Sequence, residues 1–345
     1  MSSLVHVAIH ASQFPEKVRA DLVESLRSRA VNHKFHYDSV KQTQKWLALH
    51  QVHSPSRNDA DGAAIYDRSF EAAAKKIDAK QVLLIGLGCG GGQKDTRLLR
   101  LLKERDKQVF YTPCDVSTAM VLTARQTALA VVPEKNCFPL VCDLAGVNDL
   151  SAAFARNAEH KSRNTKHGSP RQSAAEAGTR LLTFFGMIPN FEPETILPKL
   201  ASLVRNDDTL LFSANLSPGN DYEAGVKKIL PQYDNALTRD WLLAFLFDLG
   251  VEPRDGELRF EIENVNSLKR IVARFYFTQS CAIAFENERF EFHPGESIRL
   301  FFSYRYTPDL VRKTLERHGL AILDQWIAKS EEDGVFLCSR SRSAA

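Results

Sequence analysis

The chain lacks the long apolar segments that would place it in a membrane. None of its apolar runs reaches the roughly 18 residues that a membrane-spanning helix needs. Residues 1–8 contain no basic segment followed by an apolar one, so no secretory signal peptide is predicted. These two absences lead us to expect a cytoplasmic protein that has no contact with a membrane.

The chain also lacks a strong charge of one sign. Its 45 lysines and arginines are balanced by 42 acidic residues, which leaves a net charge of +3. We found no dense basic stripe with aromatic residues between the charges, the pattern typical of nucleic-acid binding. The composition therefore favours a small-molecule partner over a nucleic acid, and we expect a monomer.

Paired cysteines are missing as well. The chain has six cysteines and none of them forms a CxxC pair. Several lie in apolar runs that are typical of buried strands. Free thiols in a reducing compartment are the simplest interpretation, with a metal site or disulfides as the alternative. We predict no metal site. The cysteines are Cys89, Cys114, Cys137, Cys142, Cys281 and Cys338.

Glycine, in contrast, is concentrated in one place. An apolar run that begins at Val82 leads into five glycines within residues 86–92, and residues 93–97 then turn polar. This order is typical of a buried strand, a tight turn without side chains and the start of a helix. Such a turn lets the backbone approach a nucleotide-like ligand closely, with helix N–H groups directed at it.

Strands and helices alternate after residue 80. This alternation predicts an α/β fold with a parallel sheet covered by helices on both faces. The predicted strands are 81–86, 108–114, 138–142, 180–186 and 209–214. The segments with helical periodicity are 12–32, 61–77, 94–106, 117–130, 147–157 and 193–205. The polar segment 158–178 interrupts the alternation and is interpreted as a mobile surface loop, with a phosphate or partner contact as the alternative.

The pattern changes again after residue 216. Residues 221–250 are predicted to be helical, and residues 257–303 alternate as antiparallel strands do. A helix at 308–318 then precedes two strands, 320–327 and 334–338, which we expect to pair antiparallel at the edge of the sheet. We therefore predict a Rossmann-like domain formed by 61–215 and 304–345. A substrate-binding α+β domain would be formed by 1–60 and the inserted 216–303.

The glycine turn alone leaves the cofactor open. Its spacing, Gly86-x-Gly88-x-x-Gly91, fits the dinucleotide pattern, but that match is weak by itself. Asp115 ends the second strand, where an acid holds ribose hydroxyls in both nicotinamide and S-adenosylmethionine enzymes. It therefore does not separate the two cofactor classes.

Three further features favour S-adenosylmethionine over a nicotinamide cofactor. A second acid, Asp143, ends the third strand, where methyltransferases contact adenine. The fourth strand leads into the loop 185–191, which is placed to meet both methyl donor and acceptor. The closing antiparallel strand pair is the usual end of such a sheet. No Ser/His/Asp or His/Glu set suited to hydride-transfer substrates was found.

At this point the chain resembles the histidine-specific S-adenosylmethionine-dependent methyltransferases. The founding activity of that family is Nα-trimethylation of histidine in ergothioneine biosynthesis. The resemblance runs from about residue 36 to the end and rests on the order and spacing of short motifs. The corresponding segments are 37–38, 53–57, 88–94, 114–117, 142–144, 186–190, 232–235 and 301–306.

The resemblance implies roles for individual residues. For S-adenosylmethionine, Gly88 and Gly90 would lie beside the cofactor, and Lys94 would meet its methionine carboxylate. Asp115 would hold the ribose, and Asp143 with its neighbour Leu144 would contact the adenine. For the methyl acceptor, Asn190 and Tyr233 would hold the amino acid's backbone end, and Tyr37 would lie near the amine as the catalytic residue.

Simpler explanations also exist for several of these residues. Tyr37 and Tyr233 could be packing residues, and Asn190 could serve only as a turn or a helix cap. His53 could be a surface residue with no part in the reaction.

The departures from the family concern the pocket for the acceptor's side chain. Ser303 and the position of Phe301 would face that side chain, yet Phe301 replaces the glutamate that recognises imidazole in the family, and His53 replaces a tyrosine. A phenyl ring cannot accept the imidazole N–H, so discrimination in favour of histidine would be lost. The acceptor is therefore expected to be an α-amino acid other than histidine. Fungal relatives act on tryptophan-type substrates in secondary metabolism, which makes tryptophan the first candidate.

Two other functions remain open from the sequence. The same fold could methylate a quite different small molecule. It could also bind S-adenosylmethionine without catalysis, because the loop around Pro189 is shorter than in the family.

Overall fold

The computed structural model describes residues 4–54, 58–159 and 178–341. Within them, the helices are Pro15–Arg27 (α1), Val40–His53 (α2), Ala60–Lys75 (α3), Gln93–Glu104 (α4), Thr118–Ala128 (α5), Leu150–Glu159 (α6), Pro193–Leu203 (α7), Tyr222–Tyr233 (α8), Ala236–Asp248 (α9) and Pro308–Arg317 (α10). In the same ranges, no helix is long and apolar enough to cross a membrane. The predicted loop at 158–178 lies almost entirely outside the described residues.

The strands form one large sheet and two small ones. They are Ala8–Ile9 (β1), Gln81–Leu87 (β2), Gln108–Asp115 (β3), Leu140–Val141 (β4), Thr179–Phe184 (β5), Thr209–Asn215 (β6), Gly256–Val265 (β7), Leu268–Phe277 (β8), Cys281–Phe285 (β9), Glu288–Phe292 (β10), Ser297–Arg305 (β11), Leu320–Ile327 (β12) and Asp333–Arg340 (β13).

The large sheet confirms the predicted fold class. Its strand order is β1-β4-β3-β2-β5-β6-β13-β12, and the pairs from β1 to β6 are parallel. Strand β13 is antiparallel to both β6 and β12. The chain thus closes with the antiparallel pair that the sequence predicted at the sheet edge.

Burial on both faces explains why the central strands are apolar throughout. In β2, Ile85 and Leu87 pack into one apolar cluster, and Val82 and Leu84 pack into another on the opposite face. Since side chains alternate across a strand, each cluster takes every second residue. A parallel strand covered by helices on both faces therefore reads as a continuous apolar run.

The N-terminal strand β1 was not predicted. Ala8 pairs with Leu140 and Ile9 with Val141, which adds β1 to the edge of the large sheet. The partner strand β4 has only two residues, although 138–142 was predicted to be extended. Strands this short carry too little periodicity to be recognised in a sequence.

The inserted segment folds around the antiparallel sheet β11-β8-β7 and the hairpin β9-β10. The helical stretch predicted at 221–250 is interrupted, because Asn235 caps α9 by accepting a hydrogen bond from the N–H of Thr238. Helices α1, α2 and α9 pack on this sheet in a third apolar cluster. The division into two domains at the predicted boundaries stays a prediction.

Candidate active site

A cavity of about 380 Å³ opens at the carboxyl ends of the parallel strands. It is lined by residues at or just after the ends of β2, β3, β4, β5 and β6, and by residues of helix α2. Ligands of open α/β sheets bind at this edge, where the loops diverge. The volume is within the range of small-molecule sites.

The glycine turn forms the floor of the cavity. Gly88 and Gly90 have φ angles of +68° and +50°, a left-handed conformation that side chains disfavour. A Cβ at Gly88 would lie 2.3 Å from the sulfur of Met187, and one at Gly90 would lie 3.3 Å from the indole of Trp46. Both positions therefore require glycine, because the backbone is left-handed and Met187 and Trp46 pack against the turn.

Asp115 lies beside this turn at the end of β3 and is 8% exposed. Its Oδ1 accepts a hydrogen bond from the N–H of Ser117 at 3.0 Å, and its Oδ2 accepts one from the N–H of Gly90 at 3.1 Å. Burial raises the pKa of the Asp115 carboxyl to about 6, although these backbone N–H groups oppose the shift. The carboxylate thus anchors the turn and borders the cavity.

This raised pKa predicts a pH-dependent affinity for the cofactor. Hydrogen bonds from the ribose hydroxyls that Asp115 is expected to hold would favour its ionised form, so cofactor binding would lower the Asp115 pKa and release a proton below pH 6. The dissociation constant for S-adenosylmethionine should then rise up to about tenfold per unit as the pH falls from 6 to 5. Isothermal titration across this range measures the change. In Asp115→Asn the same pH interval should have little effect, and an equal pH dependence in that variant would contradict the assignment.

A buried cation accompanies the second predicted acid. Asp143 uses Oδ1 to accept hydrogen bonds from the N–H groups of Ala145 and Gly146, and its Oδ2 lies 3.7 Å from Nζ of Lys34. Lys34 is fully buried and also donates to Asp21 at 2.6 Å. Both Asp143 and Leu144 line the cavity. Lys34 was not predicted from the sequence, although it lies three residues before the motif at Tyr37.

Lys94 lies in an aromatic and acidic environment. Its Nζ is 4.1 Å from the centre of the Tyr66 ring, and the Tyr66 hydroxyl donates to Asp333 at 3.3 Å. All three residues line the cavity. Burial raises the pKa of Asp333, while the charge of Lys94 opposes this. No motif marks Tyr66 or Asp333 in the sequence, because they reach the cavity from α3 and from the start of β13.

The residues predicted to bind the acceptor fall into two groups. Tyr37, His53 and Asn190 line the cavity, with His53 at its exposed margin. Tyr233, Phe301 and Ser303 do not line it. They lie together behind the rings of Tyr37, Trp46 and Trp241, which we call the aromatic layer. The Tyr233 hydroxyl donates to Oγ of Ser303 at 2.7 Å.

Trp241 connects the two groups. Its ring centre is 5.6 Å from that of Tyr37 and 5.6 Å from that of Phe301. The Asn190 side chain also reaches the strand of the second group, since its Nδ2 donates to the carbonyl of Phe302 at 2.8 Å. From the sequence, Trp241 was predicted only to lie within the helical segment 221–250, with no function.

Fold and cavity together define a Rossmann-like methyltransferase: a glycine turn after the first long strand, acids after the next two, and an antiparallel closing pair. Within the described residues, no group of His, Cys, Asp and Glu side chains could hold a metal ion. The chain belongs to the family of histidine-specific, S-adenosylmethionine-dependent methyltransferases, which matches residues 18–340. This confirms the predicted family and its cofactor.

The individual relatives have low sequence identity to this chain. The N-methyltransferase imqF of Aspergillus flavus is 28% identical over 261 residues, which cover 73% of this chain and 65% of that protein. The match therefore spans slightly less than two thirds of the relative. Among solved structures, a methyltransferase of Clostridium acetobutylicum has 14% identity and a TM-score of 0.43, with coverage of 87% and 99%. Magnesium protoporphyrin IX methyltransferase of Synechocystis has 14% identity and a TM-score of 0.39, with coverage of 94% and 97%.

Proposed function

We propose that this protein transfers the methyl group of S-adenosylmethionine to the α-amino nitrogen of an amino acid. The acceptor is aromatic, with tryptophan as the first candidate, and it is not histidine. The observation that carries this proposal is the surroundings of Phe301, which stands where the family's imidazole-binding glutamate is expected. Its ring centre is 5.6 Å from that of Trp241 and 6.3 Å from that of Tyr233.

The aromatic layer supports a flat apolar side chain. Tyr37 contacts Trp46 as well as Trp241, with 6.0 Å between the ring centres of Tyr37 and Trp46. Edge-to-face contacts at these distances stabilise an inserted ring beyond the effect of buried area alone. An imidazole placed against Phe301 would leave an N–H without an acceptor, which costs binding energy in a buried site.

The cofactor would lie along the glycine turn, where it supplies an activated methyl group. Asp115 would accept hydrogen bonds from the ribose, and Lys94 would pair with the methionine carboxylate. At the other end of the cavity, Asp143 and Leu144 would border the adenine. Gly88 and Gly90 would allow the close approach.

The acceptor amine must be uncharged to react, so the chain has to orient it and remove a proton. Asn190 and Tyr233 would hold the backbone end of the amino acid. Burial and the nearby Asp115 raise the pKa of Tyr37 well above 10. The Tyr37 phenol therefore stays protonated at neutral pH, so we assign it to orienting the amine by accepting a hydrogen bond from it, while the amine's proton leaves to water.

The relative imqF supports nitrogen as the methylated atom, since it is named an N-methyltransferase. Methylation of a different small molecule is the second candidate, because that match covers only part of the relative. A homologue that binds the cofactor without turnover is the third, because the loop around Pro189 is shorter than in the family. We also propose a monomer acting in the cytoplasm on a small-molecule acceptor without nucleic acid. Residues 61–215 and 304–345 would bind the cofactor, and 1–60 and 216–303 the acceptor.

A direct assay tests the proposal. The protein is incubated with methyl-labelled S-adenosylmethionine and each of the twenty amino acids in turn. We expect label transfer to tryptophan or another aromatic amino acid, at least about 10-fold above histidine, because the buried imidazole N–H would be unpaired. Turnover of histidine alone would contradict the proposed pocket. Cofactor binding without transfer to any amino acid would favour the second or third candidate.

A further inference from the structure

Lys34 is a buried cation to which the proposed reaction assigns no role. Its side chain is fully buried, and its Nζ lies 2.6 Å from Oδ2 of Asp21 and 3.7 Å from Oδ2 of Asp143. Nζ also donates to the side-chain oxygen of Gln13 at 3.4 Å. One ammonium group thus lies between two carboxylates. Lysine is almost never fully buried unless it is paired, so these carboxylates account for its position.

Asp143 connects this buried lysine to the cavity. Asp143 lines the cavity, and in the proposed function it borders the adenine. Its Oδ1 accepts hydrogen bonds from the N–H groups of Ala145 and Gly146, whereas its Oδ2 faces Lys34. These donors and the ammonium group stabilise negative charge on the carboxylate. An ionised carboxylate only accepts hydrogen bonds, whereas a protonated one can also donate.

Two other basic residues lie near Asp143, but within the described residues neither forms an ion pair with it. Lys199 donates to the backbone carbonyl of Ala145. Burial lowers the pKa of His33, while the charge of Asp143 opposes this, so His33 is uncharged at physiological pH. In the part of the chain that the structure describes, Lys34 is therefore the cation that pairs with Asp143.

The N-terminal segment that carries Lys34 is built onto the same side of the cavity. Ser12 accepts a hydrogen bond through Oγ from the N–H of Asp143 at 3.0 Å. Gln13 donates through Nε2 to the carbonyl of Val116 at 2.8 Å, and Val116 also lines the cavity. Strand β1 pairs with β4, which ends two residues before Asp143. The position of Lys34 is thus fixed relative to the end of the cavity where the adenine is proposed to lie.

We infer that Lys34 is a positioning residue that, by keeping Asp143 ionised, makes the cofactor site select adenine over hypoxanthine. Adenine carries an exocyclic amino group, which donates to a carboxylate. Hypoxanthine carries a carbonyl oxygen at the same place, which an ionised carboxylate repels and leaves without a donor. The inference rests on the proposed position of the adenine at Asp143 and does not depend on the identity of the methyl acceptor.

Isothermal titration tests this by comparing S-adenosylhomocysteine with S-inosylhomocysteine, which carries hypoxanthine in place of adenine. In the wild type, S-adenosylhomocysteine should bind at least about 30-fold more tightly, because hypoxanthine replaces a hydrogen bond to a charged group by a repulsion.

The preference should be lost in Lys34→Met. Asp21 keeps Lys17 as a partner in this variant, so Asp143 is the buried acid that would gain a proton. A protonated Asp143 donates to the hypoxanthine oxygen, so the preference for adenine should fall below about threefold. Lys34→Arg keeps the positive charge and should retain part of the preference.

Lys199→Met is the matched control, since it removes the other lysine near the loop that follows Asp143. It should change the affinity for both compounds by the same factor. Thermal unfolding reports whether each variant folds. If Lys34→Met does not fold, the double variant Lys34→Met with Asp21→Leu removes both partners of the buried pair, a replacement that folded proteins often tolerate. The preference for adenine should fall in the same way.

A wild type that prefers adenine by less than about threefold would overturn the inference and leave the methyl-transfer reaction intact. Folded Lys34 variants that retain the full preference would do the same, as would an equal loss of preference in Lys199→Met. A wild type that binds neither compound would refute the proposed cofactor site, and the inference would fall with it.

Discussion

Replacing Asp115 with alanine lowers the affinity for S-adenosylmethionine by at least about 100-fold, the largest effect on the cofactor that we expect from one substitution. Hydrogen bonds to a charged group contribute about 1.5–3 kcal/mol each, and a ribose offers two hydroxyls to this carboxylate. The alanine also leaves the N–H groups of Gly90 and Ser117 without their acceptor, so the glycine turn loses its anchor. Isothermal titration of the purified variant measures the loss.

A control separates the cofactor role from the structural one. Asp221 caps α8 and, like Asp115, accepts hydrogen bonds from two backbone N–H groups, those of Glu223 and Ala224. It does not line the cavity. Asp221→Ala should lower the melting temperature without changing the affinity for the cofactor. If both variants lose the cofactor equally, Asp115 acts only on the stability of the fold.

That the residues assigned to the cofactor line one cavity could be predicted from the sequence, because their positions depend on local patterns. A glycine turn follows an apolar strand, and Asp115 and Asp143 each end the next apolar segment. Parallel strands bring their carboxyl ends to one edge, so these residues had to meet once the alternation was recognised. The structure places all of them on one cavity.

The acceptor half could not be predicted in the same way, because it depends on contacts between distant segments. Trp46 covers Gly90 from α2, a helix that was not predicted. Trp241 contacts Phe301 and also Tyr37, which lies about two hundred residues before it in the sequence. Lys34 reaches Asp143 from the N-terminal segment. None of these contacts leaves a periodic pattern in the sequence, since each joins segments that are far apart along the chain.

Substituting glutamate for Phe301 reverses the preference between tryptophan and histidine. For tryptophan, we expect kcat/KM to fall by about 100-fold. Burial of an aromatic ring stabilises by about 1.5–3 kcal/mol and ring contacts by about 0.5–1.5 kcal/mol, and a buried carboxylate would lose both. For histidine, kcat/KM should rise by about 10-fold or more, because the new carboxylate accepts the imidazole N–H. Steady-state kinetics with both amino acids measure the change.

Two further variants distinguish a recognition role for Phe301 from a packing role. Phe301→Ala removes the ring without adding a charge, so it should weaken tryptophan turnover without creating activity on histidine. Phe302→Ala removes the neighbouring ring, which lies on the opposite face against the guanidinium groups of Arg270 and Arg299. It should lower stability and leave the choice between the two amino acids unchanged.

The position of Phe301 makes this reversal a demanding test. Phe301 does not line the cavity directly, so the acceptor ring must reach it past Tyr37 and Trp241. If Phe301→Glu folds and binds the cofactor but its preference for tryptophan is unchanged, the ring lies elsewhere and Phe301 only supports Trp241. Turnover of histidine by this variant, and not by Phe301→Ala, would require the carboxylate itself. Acceptor choice would then depend on one residue of β11, whereas the glycine turn determines only the methyl donor.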